Sequence, residues 1–296
     1  MNIYEQISKN KIRTFFIIIL FSFILSGFFY VVGLYFHSPR TYFLLGFAIA
    51  FVSSFGSYFW SDKLVLSSTH AHPATKEEYF DFYTVVENLS IAAGTPMPRL
   101  YVIDDPSPNA FATGRNPKHA VVCATTGLLS MMDRAELEGV IGHELSHVKN
   151  YDILLTSIVA VLVGTLALAA DWISRSLWWG FGDEERENRN PLLFALLIIS
   201  LILAPLAATL IQLAVSRRRE YLADASGALL TRNPNELASA LEKIAKYPRP
   251  VATAGAQTAH LFITNPFKDK KTRGFLVNLF NTHPPIEERI RILRSM

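Results

Sequence analysis

Four apolar runs dominate the pattern of this chain: residues 15–36, 42–60, 153–170 and 191–216 carry no charged side chain. Each approaches or exceeds the roughly 20 residues of helix needed to cross about 30 Å of hydrocarbon. The pattern therefore predicts four transmembrane helices in two hairpins, with Pro205 kinking the fourth. Trp172, Trp178 and Trp179 follow the short third run where an interfacial aromatic belt belongs. The first run has no small-residue cleavage site and exceeds the length of a signal-peptide core, so a retained span is expected. In the first polar segment Thr75 and Glu78 form a capping-box pattern, and Tyr79, Phe82, Val86 and Leu89 recur at helical spacing until Gly94-Thr95-Pro96. Two β-rich runs at 99–103 and 119–124, separated by turn-prone stretches, predict a small sheet. Asp133 with Glu136 caps a further helix whose apolar positions Leu137, Val140, Ile141, Leu145 and Val148 run to about Asn150. The C-terminal segment reads as helices around 220–230 and 235–246, a Pro/Gly/Ala-rich linker at 248–255 and a last helix at 285–294.

Basic residues set the expected orientation. Lys9, Lys11 and Arg13 precede the first run, Lys63 follows the second, Lys149 precedes the third, and Arg217, Arg218 and Arg219 follow the fourth, so these ends belong in the cytoplasm. The loops at 37–41 and 171–190 then face outward; the second is acidic and holds three arginines. An even number of spans returns both polar segments to one side, where they can build one domain. The expected division is an N-terminal hairpin (1–61), a first polar part (62–152), a second hairpin (153–216) and a second polar part (217–296). Composition agrees: 50% of residues are hydrophobic and 18% charged, against roughly 25% charged in soluble domains. The net charge of +3 and the scatter of basic residues among apolar runs argue against a nucleic-acid partner. The single cysteine, Cys123, excludes an internal disulfide and a cysteine-based zinc cage.

The chemistry concentrates on the Asp133 helix, which contains His143-Glu144-Leu145-Ser146-His147. In H-E-x-x-H on an amphipathic helix, four residues make about 400° of turn, so both imidazoles project from one face about 6 Å apart along the axis. Neutral imidazoles at that spacing suit zinc. A catalytic zinc site needs a third protein ligand and an open position. Glu220 is the best candidate, followed at i+4 by Asp224 on the same face. One carboxylate can bind metal while the other accepts the free N–H of a ligand histidine. Taken alone, Glu220 and Asp224 beside three arginines also read as a solvated charge cluster.

His143-Glu144-x-x-His147 with Glu220-x-x-Ala223-Asp224 resembles the H-E-x-x-H plus E-x-x-A-D pattern of the HtpX family of membrane-embedded zinc metalloproteases, gluzincins related to the type I CAAX prenyl protease. The resemblance covers nearly the whole chain. Asn109-Ala110-Phe111-Ala112 with Thr125-Thr126-Gly127-Leu128-Leu129 is similar to the family's substrate-side edge strand and following turn, and His283-Pro284-Pro285-Ile286-Glu287-Glu288-Arg289 resembles its C-terminal motif. The implied fold is an α-helical membrane protein of four spans with an α+β zincin-like cytoplasmic catalytic domain carrying a small sheet.

The resemblance implies one zinc per chain, held by His143, His147 and Glu220, which acidifies water toward a pKa of about 7. Glu144 is then the general base, passing its proton to the leaving amine, and Asp224 orients a ligand histidine, His143 in the first instance. His283 is implied as a donor to the oxyanion, against a bland reading as a helix-start histidine. Arg289 is implied as the partner of a site carboxylate, against a surface arginine. Asn109 and Ala110 are implied to offer backbone to an extended substrate that adds as a strand, although Asn109 also fits a simple turn after Ser107-Pro108. His70 and His72 read as exposed loop residues, and His260 as a packed histidine. The implied task is quality control of damaged or misfolded membrane proteins at a bacterial-type cytoplasmic membrane, with unfolded or membrane proteins and the bilayer as partners. A processing protease for a defined C-terminal or lipidated peptide is the alternative within the class; a non-catalytic membrane scaffold or metal-handling protein is the alternative outside it.

Overall fold

The computed structural model describes residues 3–179, 217–255, 258–266 and 284–296, with positions 194, 198 and 199. Helices α1 (Ile3–Tyr35) and α2 (Pro39–Ser68) form the first hairpin. Its backbones meet closely: a Cβ on Gly46 would lie 2.7 Å from the Phe29 Cβ. Helix α6 (Asp152–Trp179) packs against both, burying Phe21, Leu25, Leu155 and Leu162 between them. Among the described residues, three stretches are long and apolar enough to cross a membrane: Ile7–Tyr35, Pro39–Ser68 and Asp152–Arg175. The outward side chains of α2, such as Phe47, Phe51 and Phe55, are more than half exposed, which suits lipid as their solvent. The expected span at 191–216 lies outside the described residues except for positions 194, 198 and 199; the Phe194 ring sits 6.2 Å from that of Tyr35.

The second hairpin element differs from expectation in one respect that matters. Helix α2 does not end with the apolar run at Trp60 but continues to Ser68. Val65 is buried there against Ile103, Phe111 and Phe262, so tertiary packing extends the helix beyond the boundary expected at 61. The span thus plugs directly into the polar domain.

In that domain β1 (His72–Pro73), β2 (Arg99–Ile103), β4 (Ala120–Thr125) and β3 (Ala110–Gly114) form a four-stranded sheet in the order β1-β2-β4-β3. The pair β2–β4 is parallel, with Leu100 opposite Val122, and β3–β4 is antiparallel, with Phe111 opposite Cys123. All five β3 residues are buried, so the strand shows no alternation and periodicity alone misses it. His72 belongs to β1, its Nε2 3.3 Å from Asp104 Oδ2. Between β1 and β2 runs α3 (Phe80–Ala93), capped by Gly94 at φ 66°, a left-handed conformation that favours glycine. It starts five residues later than the Thr75 pattern predicts: the Glu78 N–H does donate to Thr75 Oγ1 at 3.3 Å, but this closes a turn ahead of the helix.

A short helix α4 (Thr126–Met131) leads to α5 (Arg134–Lys149), where Asp133 and Glu136 form the expected reciprocal capping box. Among the described residues the remaining α-helices are α7 (Arg217–Thr231), α8 (Pro234–Lys246) and α9 (Ile286–Arg294). Val122, Val140, Leu145, Leu241 and Leu293 share one core between the sheet and these helices.

The crossing of α5 and α7 positions the chemistry. A Cβ on Gly227 would lie 2.8 Å from the His143 nitrogen and 2.9 Å from the Gly142 carbonyl carbon. The two backbones therefore touch at a point with no room for a side chain, which sets Glu220 and Asp224 of α7 beside the histidine-bearing face of α5. Gly227→Ala should push the helices apart, lowering unfolding stability by about 1–3 kcal/mol, the usual cost of an added methyl in a tight contact. Thermal unfolding in detergent reads the loss of stability, and a parallel metal titration should show weakened binding.

Candidate metal centre and active site

The capping box starts α5 in a fixed register, and three turns later His143 and His147 project toward α7. His143 Nδ1–H donates to Asp224 Oδ1 at 2.8 Å, and His147 Nδ1–H donates to Asp152 Oδ2 at 3.1 Å. A carboxylate can only accept, so both rings carry a proton on Nδ1, and each ring when neutral directs its Nε2 lone pair inward. The two Nε2 atoms stand 3.2 Å apart. Glu220 adds Oε1 at 3.5 Å from His147 Nε2 and Oε2 at 3.8 Å from His143 Nε2. Donors around a tetrahedral ion with bonds of ~2.05 Å lie about 3.3 Å apart, so this trio fits a metal ion in number, spacing and chemistry.

Charge points the same way. Glu144, Glu220, Asp224 and Asp152 are all buried around the histidines, as are Arg219 and Arg289. With Glu144 ionised and both histidines neutral, as metal binding requires, four carboxylates facing two guanidinium groups leave two negative charges, the complement of a divalent cation. Burial holds His143 neutral by lowering its pKa, against the pull of Asp224. Burial also disfavours the charged form of His147, but Asp152 and Glu220 outweigh it and lift its pKa to about 9. Burial would raise the Asp224 carboxyl as well; Arg289 overcomes this and holds it at about 2.

Glu144 is buried beside the trio. Burial, opposed by His147 and reinforced by Glu220, pushes its carboxyl up to about 7. One oxygen faces the Ala112 backbone N–H, while Oε1 has no hydrogen-bond partner among the described residues. An orphaned buried acceptor next to a metal-type donor set has room for a proton or a water-derived ligand.

Arg289 is fully buried rather than on the surface. Its Nε and Nη2 donate to the two oxygens of Asp224 at 2.8 and 2.7 Å, and Nη1 donates to the Ile263 carbonyl at 2.7 Å. That bidentate fork clamps the carboxylate holding His143. His283 lies outside the described residues. His260 is packed as expected, with Nε2 3.0 Å from the Thr156 carbonyl oxygen.

The substrate edge needs correction. Asn109 and Ala110 present no open backbone: both are buried, the Asn109 N–H donates to Thr125 Oγ1 at 2.9 Å and its carbonyl accepts from the Thr125 N–H at 3.0 Å, its side-chain amide donates to the Thr264 carbonyl at 3.2 Å, and the Ala110 carbonyl accepts from the Ile263 N–H at 2.9 Å. Further along, the Gly114 N–H donates to Ser157 Oγ at 3.2 Å. The β3 position that borders the small cavity over Glu144, about 20 Å³, is Ala112, with His260 and Leu261 opposite.

Three residues of the centre escaped the sequence reading. By sequence Asp152 is the last polar residue before a span and Arg219 one of a topogenic cluster, while Asn10 carries no signal. In the fold Asn10 Nδ2 donates to Asp152 Oδ1 at 2.8 Å and to the Asn150 carbonyl at 2.9 Å, and Arg219 Nη1 donates to Asp152 Oδ1 at 3.1 Å. The only signal in the sequence was an acid at the mouth of an apolar run. A second acidic trio, Asp133, Glu136 and Glu236, is accounted for by the α5 cap and by the ion pair of Glu136 with Lys243.

A family model described as Peptidase family M48 matches residues 80–296. The chain belongs to peptidase family M48. The Protease HtpX homolog of Caldanaerobacter subterraneus subsp. tengcongensis is 47% identical over 298 aligned positions, spanning 99% of this chain and 98% of that one. The Protease HtpX homolog of Dictyoglomus thermophilum is 47% identical over 293, spanning 99% and 94%. The resemblance to HtpX seen in the motifs thus extends over the full chain, and this M48 peptidase is a membrane metalloprotease. The crystal structure of S. mikatae Ste24p aligns with a TM-score of 0.49 at 21% identity, covering 91% of this chain and 61% of that one.

Two outcomes follow. Metal binding must displace the proton that His147 holds below about pH 9, so apparent affinity should fall roughly tenfold for each pH unit below 9; competition titrations with cobalt(II) across that range measure the slope. Arg289→Lys should not replace the fork, and Arg289→Ala, leaving Asp224 buried and unpaired, should cost about 3–5 kcal/mol of stability, read as a lowered denaturant midpoint.

Proposed function

We propose that the chain is a zinc endopeptidase of a bacterial-type cytoplasmic membrane that cuts damaged or misfolded membrane proteins, with its catalytic domain facing the cytoplasm. The observation that carries this reading is the grouping of ligand atoms of His143, His147 and Glu220 within 4.8 Å of one another, with the orphaned Glu144 Oε1 adjacent. His143, His147 and Glu220 would hold the ion. Zinc in such a site supplies Lewis acidity, polarising a carbonyl and acidifying water at neutral pH.

The residues of the chain do the rest. Glu144, with its pKa lifted to about 7, both accepts and returns a proton near neutral pH, as a base that hands its proton to the leaving amine must. Asp224 and Asp152 fix the ring orientation and tautomer of the two histidines, and Arg289 fixes Asp224. Ala112 at the β3 edge takes over the strand-pairing role expected of Asn109 and Ala110, which instead anchor the 263–264 segment beside it, Asn109 through its side-chain amide and Ala110 through its carbonyl. Pairing through backbone demands no particular side chain, which suits a peptidase of broad specificity. His283 is the proposed oxyanion donor.

The positive-inside distribution supports the orientation: Lys9, Lys11, Arg13, Lys63, Lys149 and Arg217–Arg219 all flank the same side of the apolar runs. The division into hairpins at 1–61 and 153–216 and catalytic parts at 62–152 and 217–296 follows, with α2 bridging the first boundary. Four spans are proposed, the fourth at 191–216.

Glu144→Gln should retain about one zinc per chain and lose about 10²–10⁴-fold in cleavage of an unfolded model protein. Undiminished cleavage would remove Glu144 from the mechanism. Chelation should abolish wild-type cleavage and added zinc should restore it. A requirement for a prenyl group on the substrate would move the reading to a processing protease.

A further inference from the structure

A second cavity, of about 650 Å³, lies where α2 leaves the apolar layer, and no residue lining it borders the cavity over Glu144. Its depth is fixed by the chain: the apolar run ends at Trp60, and Ser61-Asp62-Lys63 follow at once. One wall is aromatic. Tyr58, Phe59 and Trp60 line it and are 38%, 41% and 51% exposed, continuous with the outward-facing Phe51 and Phe55 of the same helix. The other wall is basic, formed by Arg99 of β2 together with Arg115 and Lys118 from the β3–β4 connection, and Lys63 closes the rim.

Among the described residues lining the cavity, Asp62 is the one acid, and Arg99 already pairs with it at 2.5 Å. Arg115 faces a ring and an imidazole instead of a carboxylate: its guanidinium sits 5.3 Å from the Phe59 centroid, with Nη2 3.1 Å from His119 Nε2. The aromatic contact orients Arg115 without neutralising it. The cavity thus joins an apolar wall facing the acyl layer to positive charge at headgroup level.

We propose that this cavity binds an anionic phospholipid of the bilayer, its phosphate between Arg115 and Lys118 and its acyl chains along Phe59 and Phe55. A free phosphate would satisfy the basic wall and leave the aromatic one unused; a lipid meets both, and basic groups beside a span attract anionic headgroups. The site is independent of the peptidase reading, since binding is read without any substrate.

The test uses the full chain with Trp172, Trp178 and Trp179 changed to Phe, leaving Trp60 as the reporter, in bilayer nanodiscs. Brominated phosphatidylglycerol should quench Trp60 more strongly than brominated phosphatidylcholine, and each basic residue removed, Arg115→Gln or Lys118→Gln, should weaken the preference on the order of fivefold. Lys118 is exposed, so its variant keeps the test available if the Arg115 variant does not fold. Glycerol phosphate or inorganic phosphate should not displace the lipid. Equal quenching by both lipids, a preference untouched by both variants, or displacement by phosphate alone would overturn the proposal.

Discussion

Two imidazole nitrogens 3.2 Å apart, in a buried pocket where carboxylates outnumber guanidinium groups, repel each other when both lone pairs face inward, unless a cation or a proton lies between them. Much of the surrounding structure keeps that arrangement in place. Asp224 and Asp152 hold the far side of each ring, and two buried arginines hold the carboxylates. Without metal, His147 takes up a proton instead, because Asp152 and Glu220 lift its pKa to about 9. The same network that prepares the site for a divalent ion makes it expensive to leave empty.

Such a network demands close approach between helices that are distant in sequence. Gly142 and Gly227 permit it by removing side chains where α5 and α7 touch. His143 lies one residue from the contact, Asp224 and Glu220 one and two turns before Gly227. A glycine with no local turn role acquires a catalytic consequence through packing.

The membrane portion takes part in the centre. Asn10 on α1 and Asp152 at the head of α6 meet under His147, so the first and third spans are joined at the point where a ligand histidine is oriented. Ser157 of α6 adds a second tie, bonding Thr113 Oγ1 at 2.7 Å on the strand that borders Glu144. The site sits at the junction of spans and sheet, which places it close to the bilayer whose proteins it is proposed to cut.

Much of this was legible in the sequence. Apolar runs longer than a bilayer is thick can do little else in water than leave it, and the fixed 3.6-residue period makes H-E-x-x-H a statement about geometry wherever a helix forms. Glu220 and Asp224, four apart, carried the same information. Helix caps at Asp133 and Gly94 and the strand at 99–103 followed from local chemistry. What the sequence could not supply is contact between segments far apart: that Asp152 and Arg219 pair, that Asn10 reaches Asp152 across 142 positions, that Arg289 is buried on Asp224, and that segment 263–264 covers Asn109 and Ala110. Local periodicity reports which way a side chain points from its own element; which partner waits there is decided only when the elements pack.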